Sequence, residues 1–127
     1  MKILIIEDDK WFAESVAVTI KNRLKQSEIK TVFDIETAMD VIDEWQPDLL
    51  LLDVMLGATN GLMLLNELQS YVDTRQIPVI IMSVDGKRLN IDDLRQFKVV
   101  DIIDKTEITP EILINVIKEN HDRQTTH

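Results

Sequence analysis

Acidic side chains follow two apolar runs of this sequence. Glu7 and Asp8 come directly after the run 3–6, and Asp53 comes directly after the four leucines at 49–52. Continuous apolar runs of this length are typical of strands buried on both faces of a parallel sheet. Because the carboxyl ends of parallel strands meet at one edge of the sheet, the three carboxylates are expected to converge there, where open α/β folds bind ligands.

A hydroxyl and an ammonium group are expected at the same edge. Ser83 comes directly after the apolar run 78–82. The predicted strand 99–103 is followed by Asp104 and then by Lys105. Clustered carboxylates raise one another's pKa unless a cation neutralises them, and oxygen ligands favour Mg²⁺, with Mn²⁺ as the other candidate. The set suits phosphoryl transfer to a carboxylate, with Asp53 as the candidate acceptor.

The elements that carry these residues alternate between strand and helix. The capping residues Asp9, Asp34 and Asn60 each precede a predicted helix, and Thr109-Pro110 starts the last one, with Thr109 as its cap. The predicted apolar face includes Phe12 in the first helix and Ile112 in the last. A short, weakly patterned helix is expected within 87–97, and 57–61 is expected to be a loop. The predicted strands are 3–6, 29–33 (at a sheet edge), 49–53, 78–82 and 99–103. This order predicts an α/β fold: a doubly wound, five-stranded parallel sheet with helices on both faces.

Composition limits the classes of function. The chain has 127 residues, 45% of them hydrophobic, which fits one domain with one core. It has no cysteine, which excludes disulfides and thiolate sites, and its net charge of −9 disfavours direct binding to nucleic acid or anionic membranes. No run is long enough for a signal peptide core or a membrane span, so a cytoplasmic location is expected. We expect a domain over 1–120 and a polar tail that frays over 121–127.

Four motifs, taken together, resemble those of bacterial response-regulator receiver domains. They are 5–9 (Ile-Ile-Glu-Asp-Asp), 47–56 around Asp53, 78–83 (Pro-Val-Ile-Ile-Met-Ser) and 104–105 (Asp-Lys). The intervals of 45 residues from Asp8 to Asp53, 30 to Ser83 and 22 to Lys105 are normal for that family. The resemblance covers about residues 1–120 and implies a flavodoxin-like sheet with strand order 2-1-3-4-5.

The resemblance also implies a role for each site residue. Asp53 would accept a phosphoryl group from a histidine kinase or phosphotransfer protein, and a downstream protein or linked output domain would respond. The domain would not be an enzyme beyond Mg²⁺-assisted self-phosphorylation and autodephosphorylation. The implied Mg²⁺ ligands are Asp8, Asp53 and the Met55 backbone carbonyl, with Glu7 acting through water. Ser83 and Lys105 would bind phosphoryl oxygens, and the implied switch positions are Ser83 and Ile102.

Several residues depart from the family pattern. Gly57 and Thr106 replace usual prolines, Val84 replaces a small residue, and Ile102 replaces the switch aromatic; Lys98-Val99 replaces a Gly-Ala turn. Our leading hypothesis is retained phosphorylation chemistry with an atypical switch face. The alternative is a pseudo-receiver that binds a partner without being switched by phosphate.

Two other classes fit the residues less well. An aspartyl-phosphate phosphatase would need a second acid where Met55 stands, and a flavin-binding flavodoxin would need a phosphate-binding loop where Glu7 and Asp8 stand. The sequence does not identify the cognate kinase or the output domain, nor whether the domain acts alone or within a longer regulator.

Overall fold

Five parallel strands form one sheet at the centre of the protein. The computed structural model describes residues 1–56, 59–85 and 89–125, with the side chains of 56, 59, 60 and 122–125 left aside. The strands are β1 (Lys2–Ile6), β2 (Glu28–Val32), β3 (Leu49–Asp53), β6 (Val79–Ser83) and β7 (Val99–Asp104). They lie side by side in the order β2-β1-β3-β6-β7. When the five strands are numbered among themselves along the chain, this order is 2-1-3-4-5, which confirms the predicted flavodoxin-like fold and the edge position of β2.

The sheet register aligns the ends of the central strands. Ile6 pairs with Leu52, Asp53 pairs with Met82, and Ser83 pairs with Asp104. The neighbouring strands therefore end at the same level, and Glu7, Asp53, Ser83 and Lys105 all lie at this edge of the sheet. This edge carries the polar residues that the sequence places after the apolar runs.

Helices cover both faces because successive strand residues point to opposite sides. Leu50 and Leu52 belong to a cluster with α2 (Ile35–Trp45) and α3 (Leu62–Gln69). Leu49 and Leu51 belong to a second cluster with α1 (Lys10–Arg23) and α5 (Pro110–Thr125). On the first face, α4 (Ile91–Leu94) and a 3-10 turn (Arg95–Phe97) complete the layer. None of the helices in the described ranges has both the length and the apolarity needed to cross a membrane.

Three predicted caps are confirmed and one is wrong. Thr109 Oγ1 accepts from the Ile112 N–H (3.1 Å) at the start of α5. Asp9 accepts from the Phe12 N–H (3.1 Å) and Asp34 from the Thr37 N–H (2.7 Å), which satisfies free amides at the start of α1 and α2. The cap of α3 is Gly61, not Asn60. Asn60 instead belongs to a small antiparallel hairpin, β4 (Met55–Leu56) with β5 (Thr59–Asn60), where a loop was expected. Gly57 lies outside the described residues.

Other differences concern element ends. Phe33 lies beyond β2, and the predicted helix within 87–97 is confined to α4 and the following turn; residues 86–88 lie outside the described part. Ile112, predicted on the buried face of α5, is 41% exposed, and Leu113 and Ile114 are buried in its place. Helix α5 continues to Thr125, past His121, where fraying was expected.

Lys98 has a left-handed backbone conformation, with φ of 61°. A Cβ is unfavourable there, which explains why glycine suits this turn. We expect Lys98→Gly to raise the free energy of unfolding by about 0.5–1 kcal/mol, with Lys98→Ala giving no such gain because it keeps the Cβ. Urea unfolding of the three proteins measures the difference, and equal stability of the glycine and alanine variants would contradict it.

Candidate functional site

Asp53 ends the central strand β3 with its side chain almost fully buried. It is 4% exposed, which is unusual for a carboxylate that lacks a partner. Both carboxylate oxygens have one: Oδ1 accepts from the Met55 N–H (2.9 Å), and Oδ2 accepts from Lys105 Nζ (3.0 Å). The fold therefore holds this carboxylate in one position at the sheet edge.

Glu7 and Asp8 extend beyond the end of β1 beside Asp53. The Glu7 N–H donates to the Val32 carbonyl of β2 (3.0 Å), which continues the strand pairing by one residue. The Glu7 side chain is fully buried and its Oε1 accepts from the Asp9 N–H (3.1 Å), whereas Asp8 is exposed. One carboxylate oxygen from each of Glu7, Asp8 and Asp53 lies within 4.8 Å of the others. The predicted convergence of the three acids is confirmed.

Lys105 places an ammonium group between two of these carboxylates. Its backbone N–H donates to the Ser83 carbonyl (2.9 Å), which fixes the start of the side chain next to β6. Its Nζ lies 2.5 Å from Glu7 Oε2 and 3.0 Å from Asp53 Oδ2, with 13% of the side chain exposed. The ammonium group thus contacts two of the three clustered carboxylates, and one positive charge leaves the cluster with an excess of negative charge.

The environment shifts the pKa of both Glu7 and Lys105. Burial raises the pKa of Glu7 from 4.5 to about 7, and the charge of Asp53 adds to this, although Lys105 and the Asp9 amide act in the opposite direction. Burial alone would lower the pKa of Lys105, but its contacts with Glu7 and Asp53 outweigh burial and raise it. Lys105 is therefore charged at neutral pH, while Glu7 changes charge near neutrality.

Glu7 should make stability depend on pH when no divalent cation is present. Its folded pKa lies above its unfolded value, so the folded state binds more protons between pH 4.5 and about 7. The free energy of unfolding then falls as pH rises through this interval. Glu7→Gln, which resembles the protonated residue, should match the wild type below pH 4.5 and become increasingly more stable than it up to about pH 7. Urea unfolding in a chelator measures this, with exposed Glu14→Gln as the control; parallel pH curves for wild type and Glu7→Gln would contradict it.

The residues at this edge suit a hard cation. Glu7 Oε2 lies 2.5 Å from Lys105 Nζ, which also contacts Asp53 Oδ2, so two buried carboxylates share one ammonium group. Three carboxylates with no nearby thiolate offer the oxygen ligands that Mg²⁺ prefers. The donor set fits a magnesium ion.

Ser83 is buried one residue beyond Met82, the strand partner of Asp53. Its hydroxyl accepts from the Asp85 N–H (3.3 Å) and makes no hydrogen bond to the acidic cluster among the residues described. Met55 contributes its backbone next to Asp53 while its side chain is 68% exposed. Ile102 is half-buried and packs on the α2–α3 side of the sheet. The structure thus brings Glu7, Asp8, Asp53 and Lys105 into one cluster, with Ser83 and Met55 at its border.

Two contacts near the site were not predicted. The Phe12 ring, assigned from the sequence only to the apolar face of α1, lies 4.6 Å from Lys105 Nζ. Thr106 donates to Asp104 Oδ1 from its N–H (2.8 Å) and from its hydroxyl (2.6 Å). A proline at 106 could not make the first bond. The Asp-x-Thr spacing was a usable signal for this turn, whereas nothing local pairs Phe12 with Lys105.

Comparisons with known proteins agree with this geometry. The family model of the response regulator receiver domain matches residues 3–118. The phosphate regulon transcriptional regulatory protein PhoB of Klebsiella pneumoniae is 32% identical over 87 residues, covering 68% of this chain and 37% of that protein.

Two solved structures show the same fold. A two-component response regulator from Clostridium difficile superposes with a TM-score of 0.84 at 22% identity, covering 98% of each chain. The phosphorylated cyanobacterial phytochrome response regulator RcpA superposes with a TM-score of 0.71 at 27% identity, covering 95% of this chain and 91% of that one.

The family match spans nearly the whole chain, including all residues of the acidic cluster and Lys105. The chain spans 22% to 50% of the length of curated relatives such as PhoB. Receiver domains are signalling domains rather than enzymes in the usual sense. With the fold, the cluster and the family match in agreement, the chain belongs to the response regulator receiver domain family.

Proposed function

We propose that this domain accepts a phosphoryl group on Asp53 from the phosphohistidine of a histidine kinase or phosphotransfer protein. One observation carries the proposal: a buried carboxylate at the end of the central strand faces the Lys105 ammonium inside a cluster of acids. A carboxylate held in this way is positioned as a nucleophile, and the adjacent cation can stabilise the charge of the transferred group. RcpA, 27% identical to this chain, has been solved in phosphorylated form, which supports the proposal.

The proposed step forms one bond and breaks one. An Asp53 oxygen bonds to phosphorus while the phosphorus–nitrogen bond of the phosphohistidine breaks, and the imidazole nitrogen keeps the electron pair and takes up a proton. Lys105, already 3.0 Å from Asp53 Oδ2, then pairs with a phosphoryl oxygen. The Ser83 hydroxyl would donate to another of these oxygens. Transfer of the group from Asp53 to water would restore the starting state.

Mg²⁺ is the proposed cofactor, and Mn²⁺ could replace it. Asp8, Asp53 and the Met55 backbone carbonyl would hold the ion directly, and Glu7 would contact it through water. The bound ion supplies positive charge that lets the carboxylates and a phosphoryl group approach one another. The excess negative charge of the cluster, in which three carboxylates lie beside one ammonium group, supports this assignment.

The readout is proposed to be atypical. Ile102 packs on the apolar cluster of α2 and α3, and as an aliphatic residue it has neither the ring nor the hydroxyl of the usual switch aromatic. Val84, which follows Ser83, is 66% exposed. Phosphorylation would therefore change partner binding through the aliphatic side chain of Ile102 and its packing contacts. The same two residues also favour the alternative, a pseudo-receiver whose partner surface is constant.

The proposed partners follow from the family. Receiver domains interact with histidine kinases and with output domains, and PhoB is a transcriptional regulator. The partner here would be a downstream protein or a linked output domain, with no nucleic acid bound by this domain itself, in keeping with its net charge of −9. Such signalling is proposed to take place in the cytoplasm.

Titration with Mg²⁺ and beryllofluoride, a phosphoryl mimic, tests the proposal by NMR. Wild-type amide signals at Asp53, Ser83 and Lys105 should shift, and the shifts should extend to Ile102 if the switch responds. Asp53→Asn should show none of the beryllofluoride-dependent shifts. Shifts confined to the site would favour the pseudo-receiver, and no shift at all would contradict phosphate recognition.

A further inference from the structure

A closed series of contacts connects Glu7, Asp9, Phe12 and Lys105 beside the site. Glu7 Oε1 accepts from the Asp9 N–H (3.1 Å), and Asp9 Oδ1 accepts from the Phe12 N–H (3.1 Å). The Phe12 ring then lies 4.6 Å from Lys105 Nζ, and Lys105 Nζ lies 2.5 Å from Glu7 Oε2. The hydrogen bonds at the start of α1 thus connect the Phe12 backbone, through Asp9, to Glu7, and the Glu7 carboxylate also contacts the ammonium group.

Among the residues that the structure describes, the Lys105 ammonium group has three partners of two kinds. Glu7 and Asp53 contact it through oxygen, and Phe12 contacts it through the face of an aromatic ring. A ring face attracts a cation within about 6 Å, and the attraction is stronger when the cation is shielded from water. Only 13% of the Lys105 side chain is exposed, so this contact is largely shielded.

The ring contact differs from the oxygen contacts in what happens during phosphoryl transfer. When Asp53 becomes phosphorylated, the Lys105 ammonium group, which lies 3.0 Å from Asp53 Oδ2 before the reaction, would shift its contact to a phosphoryl oxygen. Lysine has a flexible four-carbon stem, so this shift would otherwise release it into many rotamers. The ring face does not take part in the chemistry and remains available throughout.

We propose that Phe12 is a positioning residue for Lys105, holding the ammonium group over the sheet edge through a cation–π contact. The inference rests on the proposed function of Asp53 and deepens it. In this role Phe12 acts on the reaction through Lys105. A residue that merely filled the space beside α1 would depend on ring size and shape and not on ring electrons.

Site-specific incorporation of 3,4,5-trifluorophenylalanine at position 12 separates these two roles. Fluorination keeps the size and shape of the ring but removes most of the negative charge on its face. We expect the rate of Mg²⁺-dependent phosphorylation by acetyl phosphate to fall roughly three- to tenfold, as it should for Phe12→Leu. Phe12→Tyr should keep the rate near that of the wild type, because it retains the aromatic ring face, and a cleft of about 110 Å³ lined by Phe12, Ser15 and Thr19 offers space beside the ring.

The matched control is the same fluorinated residue at Phe33. Its aromatic ring also faces a lysine, with Lys10 Nζ 5.1 Å from the ring centre, but Phe33 is not part of the series of contacts that includes Lys105. Fluorination there should leave the phosphorylation rate unchanged. NMR gives a second readout that does not need phosphorylation: the Lys105 side-chain protons should show an upfield ring-current shift that disappears in Phe12→Leu.

Each outcome decides the inference. A loss of rate on fluorination at Phe12 but not at Phe33, together with the ring-current shift, supports it. A wild type that is phosphorylated normally, with an unchanged rate after fluorination at Phe12, overturns the positioning role and leaves the function of Asp53 intact. A wild type that takes no phosphoryl group overturns the proposed function and this role with it, and the ring-current shift then reports a structural contact only.

Discussion

Lys105→Met should be strongly destabilising in the absence of divalent cations. The change removes the ammonium group that lies 2.5 Å from Glu7 Oε2 and 3.0 Å from Asp53 Oδ2, and it leaves two buried carboxylates close together. Removing one partner of a buried ion pair costs about 3–5 kcal/mol. We expect a loss in the free energy of unfolding near the lower end of this range, because Asp8, the third acid of the cluster, is exposed to solvent. Urea unfolding at pH 8 in a chelator measures the free energy of unfolding.

The pH and metal dependence identify the cause of this loss. Glu7, with its pKa near 7, takes up a proton more readily than an ordinary carboxylic acid, so the loss should be smaller at pH 5 than at pH 8. Mg²⁺ should also recover part of it. The matched control is Lys118→Met, which removes an exposed lysine of α5 and should change stability little. A loss no larger than that of the control would contradict the account of the cluster.

Gly61→Ala should distort the segment that carries Asp53. A Cβ at this position would lie 2.8 Å from the Val54 Cα and 2.9 Å from the Asp53 carbonyl oxygen, both of them backbone atoms. The Gly61 N–H also donates to the Val54 carbonyl (2.7 Å), so the two segments cannot separate without losing this bond. We expect a loss of about 1–3 kcal/mol in the free energy of unfolding.

The same change should slow phosphorylation of the fraction that remains folded, because the Asp53 carboxylate moves with its backbone. Asn66→Ala, at an exposed position of α3, is the control and should stay within about 0.5 kcal/mol of the wild type. Unfolding and phosphorylation rates measured on both variants distinguish the effects. Wild-type stability and rate in Gly61→Ala would show that the close approach to Val54 is not required.

The sheet and the site were predictable from the same residues. Runs such as 49–52 are apolar at every position because both faces of β3 are buried, and a parallel sheet then fixes where Asp53 must emerge. The order of strands came from the resemblance, whose motifs are the strand ends themselves. The convergence of Glu7, Asp8 and Asp53 could therefore be predicted from the parallel direction of the strands alone, without knowledge of contacts between distant residues.

The features that sequence reasoning missed depend on packing between distant segments. Gly61 caps α3 because it packs directly against the Val54 backbone, a contact that no local pattern reveals, and Asn60 was chosen on its capping preference alone. Leu113 faces the core where Ile112 was expected, since an apolar residue at either position fits a short helical pattern. The contact of Phe12 with Lys105 joins α1 to the end of β7, far apart in sequence.

Intact-mass measurement after incubation with Mg²⁺ and acetyl phosphate tests the central claim most directly. The matched control is Asp48→Asn, which changes the aspartate before β3, at the opposite edge of the sheet, where it accepts from the Lys2 N–H (2.7 Å). We predict that the wild type and Asp48→Asn gain the mass of one phosphoryl group, and that Asp53→Asn and the wild type in a chelator do not. No gain by the wild type, or an equal gain by Asp53→Asn, would contradict the assignment of Asp53 as the phosphoacceptor.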